Sequence, residues 1–265
     1  SRPGDNLHTV SLVAVDVRTG KLRWHYQQVP HDIWGYDVAS PPMLFDVVHD
    51  GATVQAVGEA SKTGWYYVND RVTGDLLYLS EPFVPHRNIF ARPTEEGVTI
   101  APGAAGGSSW SPTAYDPSTG LVYVAGLHMP TTYTVRERRA TDTQPALRYS
   151  VLRMADEPRW GVLSAIDTRH RGRIRWQVKT KSILVGGVLA TAGGLVFMGE
   201  GDGDFNAYDS ATGEKLWSFY CGAGVNAPPV SYEIDGVQYV AIAAGGHQMF
   251  GFPTGDAVIT FALPQ

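Results

Sequence analysis

LVAVDVRTGKLRWHYQQVPHDIWGY, Leu12 to Tyr36, is the stretch on which the fold turns. Leu12–Val15 is a short apolar run of strand type. Asp16 leads into Thr19-Gly20, a turn signal, because glycine accepts a positive φ without a Cβ clash. A second strand, Lys21–Tyr26, places Trp24 and Tyr26 on one face and Arg23 and His25 on the other. The phrase is therefore an apolar strand, Asp-x-x-Thr-Gly, and a strand that ends in an aromatic residue.

The phrase recurs. Tyr66–Tyr78 reads YYVNDRVTGDLLY, Thr113–Val124 reads TAYDPSTGLVYV, and Phe205–Phe219 reads FNAYDSATGEKLWSF. Leu163–Val178, LSAIDTRHRGRIRWQV, has one extra turn residue and no threonine before its glycine. The turn aspartates Asp16, Asp70, Asp116, Asp167 and Asp209 are spaced by 54, 46, 51 and 42 residues. Periods of roughly 40–50 residues, each with several short strands, mark the blades of a β-propeller. The physics fits: one hairpin per blade needs a fixed turn, the aspartate side chain bonds backbone N–H groups across it, and the following aromatic wedges between blades. The plainer alternative is a run of unrelated Asp-Gly hairpins, which five spaced copies disfavour. Further strands are expected at Met43–Val47, Thr53–Gly58, Leu195–Met198, Gly236–Ala243 and Ala257–Ala262. Pro82–Ser109 is expected to be a long connection over one face, and the charged stretch Thr131–Arg159 a solvated insertion. No helix longer than a turn or two is expected.

The 265 residues are 43% apolar, enough for a sizeable core. The net charge of −5 argues against a broad nucleic-acid surface, which needs a basic face. The single cysteine, Cys221, allows no internal disulfide and no cysteine-based zinc site. The longest uncharged run, Ser182–Gly199, is broken by two Gly-Gly pairs and reads as short strands rather than a membrane span. No secretory leader opens the chain, and SRPGDNLHTV reads like the interior of a longer protein. Catalytic signatures such as G-x-S-x-G, a Walker loop, H-E-x-x-H and C-x-x-C-H are absent.

WHYQQVPHDIWGYD, Trp24 to Asp37, resembles the WHYQ…P-H-D-x-W-D-Y segment of the quinoprotein dehydrogenases. RPGDN at Arg2–Asn6, SKTGWYYVNDRVTG at Ser61–Gly74, GGSSWSPTAYDPSTGLVYV at Gly106–Val124, LVFMGEGDGDFNAYDSATGEKLW at Leu195–Trp217 and the closing GVQYVAIAAGGHQMF…GDAVITFALP carry the same resemblance. It implies an eight-bladed propeller of four-stranded blades with tryptophan-docking repeats. Residues 1–265 would form one domain of about half that ring. It also implies periplasmic oxidation of an alcohol or aldose sugar by pyrroloquinoline quinone (PQQ) with a metal ion, calcium or a lanthanide. Electrons would leave to an external acceptor, cytochrome c or a quinone. The family's N-terminal blades supply a Glu and an Asn to the metal, an adjacent-cysteine disulfide over one PQQ face and a tryptophan under the other. None has a counterpart here, so the 265 residues alone are expected neither to bind PQQ tightly nor to turn over.

The resemblance also assigns site residues. The family's catalytic Asp, the general base, falls on Gly35, which has no proton acceptor. Asp37, two positions on, would face the same side in an extended segment. It is a substitute base, a metal ligand of the kind a hard cation takes, or a turn carboxylate. Lys62 matches the family's cation at a quinone oxygen, where it stabilises charge gained on reduction; without the resemblance it is a solvated turn lysine. Ser109 stands where the family often has Asn, and Trp110 lines the cavity or packs between blades. Gly246 and His247 lie where the family's chain approaches PQQ. His31 and Asp32, adjacent in extended chain, point apart and make no dyad. A second reading, a non-catalytic propeller scaffold or interaction module, rests on Gly35 and on the missing blades.

Overall fold

The computed structural model describes residues 3–263; Arg2 of the RPGDN segment and Pro264 of the closing segment lie outside them. Among the described residues every strand pairing within a sheet is antiparallel. In order come β1 (Ser11–Val15), β2 (Leu22–Gln27), β3 (Met43–His49), β4 (Ala52–Ala60), β5 (Tyr66–Asp70), β6 (Leu76–Leu79) and β7 (Val98–Ile100). These are followed by β8 (Ala114–Asp116), β9 (Leu121–His128), β10 (Thr131–Arg138), β11 (Leu147–Met154), β12 (Trp160–Asp167) and β13 (Arg173–Thr180). Last come β14 (Val188–Ala190), β15 (Leu195–Gly199), β16 (Asp204–Asp209), β17 (Lys215–Tyr220), β18 (Val230–Ile234), β19 (Val237–Ala244) and β20 (Ala257–Ala262). Helix among the described residues is limited to single 3-10 turns at Thr168–His170 and Gln248–Phe250.

Five sheets follow one another as blades: β1-β2, β3-β4-β5-β6, β8-β9-β12-β13, β14-β15-β16-β17 and β18-β19-β20. The expected strands are all present, and the middle three blades have four strands each. The core lies between blades. Phe45, Val47, Tyr66 and Val68 of the second pack on Val122, Val124, Val162 and Ile166 of the third. Tyr123 and Leu163 of the third pack on Val196 and Tyr208 of the fourth. A strand with a blade on each side is apolar on both faces, which is why β9 reads LVYVAGLH and is buried through Leu127.

The repeated phrase works as expected, and it locks each blade to the next. In the first turn the Asp16 carboxylate accepts from the Arg18 and Thr19 amides at 3.1 and 2.9 Å, and Asp70 and Asp209 do the same in theirs. The Trp24 indole of the first sheet donates to the Arg71 carbonyl, 3.1 Å, and lies on Gly74 so closely that a Cβ there would come within 2.7 Å of the ring. Trp176 of the third blade does the same to Ser210, 3.0 Å, and Gly213 of the fourth. Tyr78 takes this place in the second blade, donating to the Thr168 carbonyl at 2.9 Å. In each case the acceptor is the residue after the turn aspartate. Trp217 holds the same position in the fourth blade, but among the described residues the fifth sheet has three strands and no third-to-fourth-strand turn. Its ring instead packs edge-on against Phe261, 5.1 Å away, and lines a cavity of about 730 Å³ between the last two sheets.

Two expectations are corrected. One hairpin phrase per blade does not hold: Asp70, Asp167 and Asp209 join third to fourth strands, whereas Asp116 joins the first to the second strand of the blade that also holds Asp167. The phrase encodes a tight hairpin, and either strand pair of a blade can use one. Nor is Thr131–Arg159 a merely solvated insertion. Its β10 pairs with β11 on one side and, on the other, with β7 from the Pro82–Ser109 connection, forming a separate three-stranded sheet. Tyr133 and Ile100 of that sheet are fully buried.

A meander alternates its connections between two ends. All the Asp turns therefore lie at one end. The second-to-third-strand loops and the blade-to-blade connections lie at the other, and every candidate site residue sits there.

Candidate functional site

The loop after β2 is shaped by Asp32. Its carboxylate accepts from the backbone N–H groups of Trp34, Gly35 and Tyr36, at 3.0 to 3.2 Å. Asp32 is thus occupied with the turn, and no dyad with His31 forms. Gly35 takes a left-handed φ of +82°, so the segment is not extended as expected, and the same-side argument for positions 35 and 37 does not apply. The turn nevertheless brings both to one partner. Lys62 Nζ donates to the Asp37 carboxylate at 2.6 Å and to the Gly35 carbonyl at 3.1 Å. The Lys62 side chain is only 11% exposed, while that of Asp37 is 64% exposed. An ammonium has three N–H bonds; two are used, which leaves one for a further acceptor.

Lys62 is held by a neighbour that sequence reasoning did not assign. Gly106 and Gly107 press against the Ser61–Gly64 turn: a Cβ on Gly106 would come within 2.3 Å of Lys62 Cγ, and one on Gly107 within 2.5 Å of Gly64 Cα. The Gly107 and Ser108 amides donate to the Lys62 and Ser61 carbonyls at 2.8 and 3.2 Å. The signal was the Gly-Gly of GGSSW, which requires close backbone approach, but only the fold shows what approaches.

Gly106–Trp110 runs on to the second group of candidates. Ser109 is buried. Trp110 is 43% exposed, and its ring stacks on His247, centroids 6.0 Å apart and planes 18° from parallel. Phe250 completes that cluster, 4.8 Å from His247. His247 Nδ1 is buried without a hydrogen-bond partner. Gly246 plays a backbone role: its amide donates to the Gly224 carbonyl at 2.8 Å, and a Cβ would collide with the Pro253 carbonyl. The structure thus forms two groups, Gly35–Asp37–Lys62 and Trp110–His247, linked by one glycine-rich strand of chain.

An aromatic wall stands beside the first group. Trp34 and Tyr36 stack at 6.2 Å, and Phe90 meets both edge-on at 5.4 and 5.8 Å. The Trp34 indole donates to the Ala91 carbonyl, the Tyr36 hydroxyl to Pro102 and the Tyr133 hydroxyl to Trp34, each at 2.8 Å. Burial raises both tyrosine hydroxyls above their usual range, so they stay neutral donors.

For a quinone, the chain supplies one oriented ammonium, an exposed indole face and an orphaned imidazole nitrogen, and these fit part of a planar polar cofactor. For a metal, the fit fails on this chain alone. Among the described residues no group of three or more His, Cys, Asp or Glu side chains gathers to hold an ion, and Asp37 is a single carboxylate. A hard cation takes six or more oxygens. Among the described residues no helix is long and apolar enough to cross a membrane.

A family model described as "Glucose/ethanol/alcohol dehydrogenase, beta-propeller domain" matches residues 1–89 and 83–240. The chain is 36% identical to the quinoprotein ethanol dehydrogenase of Pseudomonas aeruginosa, over 91% of this chain and 42% of that protein. Other relatives carry cytochrome c in their names. Among solved structures, the quinohemoprotein alcohol dehydrogenase of Comamonas testosteroni superposes with a TM-score of 0.85 and 31% identity, over 97% of this chain and 43% of that one. A europium-containing methanol dehydrogenase gives 0.80 and 31%, over 91% and 45%. The chain therefore spans less than half the length of each of these three proteins. The antiparallel blades and these matches agree, and the chain belongs to the PQQ-dependent glucose/ethanol/alcohol dehydrogenase β-propeller family.

Proposed function

We propose that residues 1–265 are one propeller domain that forms part of the cofactor wall of a PQQ-dependent dehydrogenase. The assembled protein oxidises an alcohol and passes electrons to a cytochrome c. The resemblance also admits an aldose sugar as substrate, a quinone as acceptor and a periplasmic location. The observation that carries the reading is Lys62: an almost buried ammonium, fixed by Gly106 and Gly107, with one N–H left over.

PQQ, when bound, supplies the two-electron acceptor. Lys62 would hold a quinone oxygen and favour the charge that gathers there. Trp110 offers a flat apolar surface, with Ser109, His247 and the Gly246 backbone as the remaining contacts from this chain. Asp37 would be the carboxylate that accepts a proton from an alcohol, since Gly35 offers none. Asp37 would also give one ligand to calcium or a lanthanide, the others coming from outside the described residues.

A scaffold or interaction module without catalysis is the second reading. Gly35 favours it, and so does the engagement of Asp37 with Lys62. Titration of PQQ with calcium or lanthanum, followed by dye reduction with ethanol and with glucose, separates the two. The dehydrogenase reading expects saturable but weak binding that depends on Lys62, and no turnover by these residues alone. Absence of any saturable binding favours the scaffold.

A further inference from the structure

We propose that Glu59 is held protonated and that its proton closes a carboxylic acid–amide pair with Gln28, tying the first sheet to the second at the root of the Lys62 turn. Glu59 is the penultimate residue of β4 and is 1% exposed. Gln28 directly follows β2. Its Nε2 donates to Glu59 Oε2 at 3.2 Å. The two remaining oxygens, Glu59 Oε1 and Gln28 Oε1, are both buried and both without a partner. An ionised carboxylate and an amide oxygen can only accept. Two buried acceptors without a partner in one pair are costly, because buried polar groups are nearly always bonded. A proton on Glu59 Oε1 turns one of them into a donor for the other.

Among the described residues the Gln28 amide is the one group that favours the ionised form, and its effect is the smaller one. Among the described residues Glu59 has no ion pair. The titratable groups that face it are Tyr67, directly across the β4–β5 ladder, and Tyr66 beside it; Tyr26 of β2 packs on Tyr67 at 6.2 Å. The Tyr67 hydroxyl is engaged with Thr63 Oγ1 at 3.2 Å. Burial pushes the Glu59 carboxyl up to about 8, against a smaller opposing effect of the Gln28 hydrogen bond.

Position gives the pair its consequence. Gln28 begins the connection that carries Asp32, Gly35 and Asp37, and Glu59 stands three residues before Lys62. The pair therefore anchors both arms of chain that meet in the Lys62–Asp37 contact. Glu59 is a positioning residue. Its effect on the cofactor wall rests on the proposed function, but its protonation does not.

A carboxyl raised on folding gives stability that is complete below its ordinary 4.5 and is lost as pH rises through about 8. Glu59→Gln keeps a neutral, reciprocally bonded pair and removes the titration. The test is infrared spectroscopy of wild type minus Glu59→Gln, with thermal midpoints of both from about pH 6 to about pH 9. The expected result is a protonated-carboxyl C=O band in the wild type that fades with a midpoint at about pH 8, and a wild-type midpoint that falls by several degrees while that of the variant stays level. A carboxylate band at the acid end, or two proteins whose midpoints fall in parallel, overturns the proposal. Should Glu59→Gln not fold, the side-chain carboxyl carbon of Glu59 in 13C-Glu-labelled wild type decides: titration near the ordinary glutamate range refutes it. Neither readout involves quinone or substrate, so failure here leaves the dehydrogenase reading untouched.

Discussion

The two ends of the blades solve opposite problems. At the turn end, one local phrase is used repeatedly: an aspartate bonded to its own turn, and an aromatic that donates to the residue after the turn aspartate of the next blade. At the loop end nothing repeats. Lys62 finds Asp37 across 25 residues, Trp110 finds His247 across 137, and a three-stranded sheet is assembled from two distant connections. The difference teaches where stability and chemistry are placed. Regular ends hold the ring, and irregular ends are free to gather single side chains on a rigid frame.

If the turn end carries the stability, Trp176→Ala has the largest effect. It removes a docked indole and its hydrogen bond to Ser210, and should cost about 3–5 kcal/mol in chemical denaturation. Trp217→Ala, at the position with no turn to dock on, should cost clearly less; equal losses would break the comparison. At the loop end, Lys62→Ala removes a charge-assisted donor worth about 1.5–3 kcal/mol. It should weaken PQQ binding at least tenfold by quinone absorbance, while the denaturation midpoint changes little. Gly106→Ala should weaken binding in the same sense, because the new methyl group displaces the Lys62 stem.

Gly35→Asp sharpens the chemical side. A Cβ at position 35 meets nothing within 4 Å, so there is room for the family's carboxylate, although the φ of +82° makes any L side chain strained. If the base is lost, dye-linked alcohol oxidation by the assembled protein should rise. No gain, with loss of activity in Asp37→Ala, assigns the work to Asp37. The smallest effect is expected from acid. The Arg23 guanidinium on β2, with the Thr19 bonds of the turn, holds the Asp16 carboxyl below the ordinary 3.8, and the Thr212 bonds do the same for Asp209, so their contribution is present above that value and is lost as pH falls below it. Far-ultraviolet circular dichroism should show the turn end loosening only in that acid range.

Much of the turn end was legible in the sequence because its determinants are local: Asp16 to Gly20 and Trp24 lie within one hairpin. What the phrase does not say is which strands it joins, hence the misplacing of Asp116. The excursion sheet was hidden because β7 and β10 are some thirty residues apart and the Arg136–Arg139 run masks the alternation of Tyr133 and Val135. At the loop end, the candidate residues came from the resemblance, and their geometry did not. The positive φ of Gly35 breaks the period-2 rule, and no local pattern announces that Gly106 packs on Lys62 or that Glu59 and Gln28 leave two oxygens unbonded.

The most direct measurement is a PQQ titration of the wild type and Lys62→Ala in parallel, with calcium and then lanthanum, read by quinone absorbance and dye reduction. The account predicts weak saturable binding to the wild type, at least tenfold weaker binding to the variant, and no turnover by either. Binding indifferent to Lys62, or tight binding with alcohol or glucose oxidation by these 265 residues alone, would contradict it.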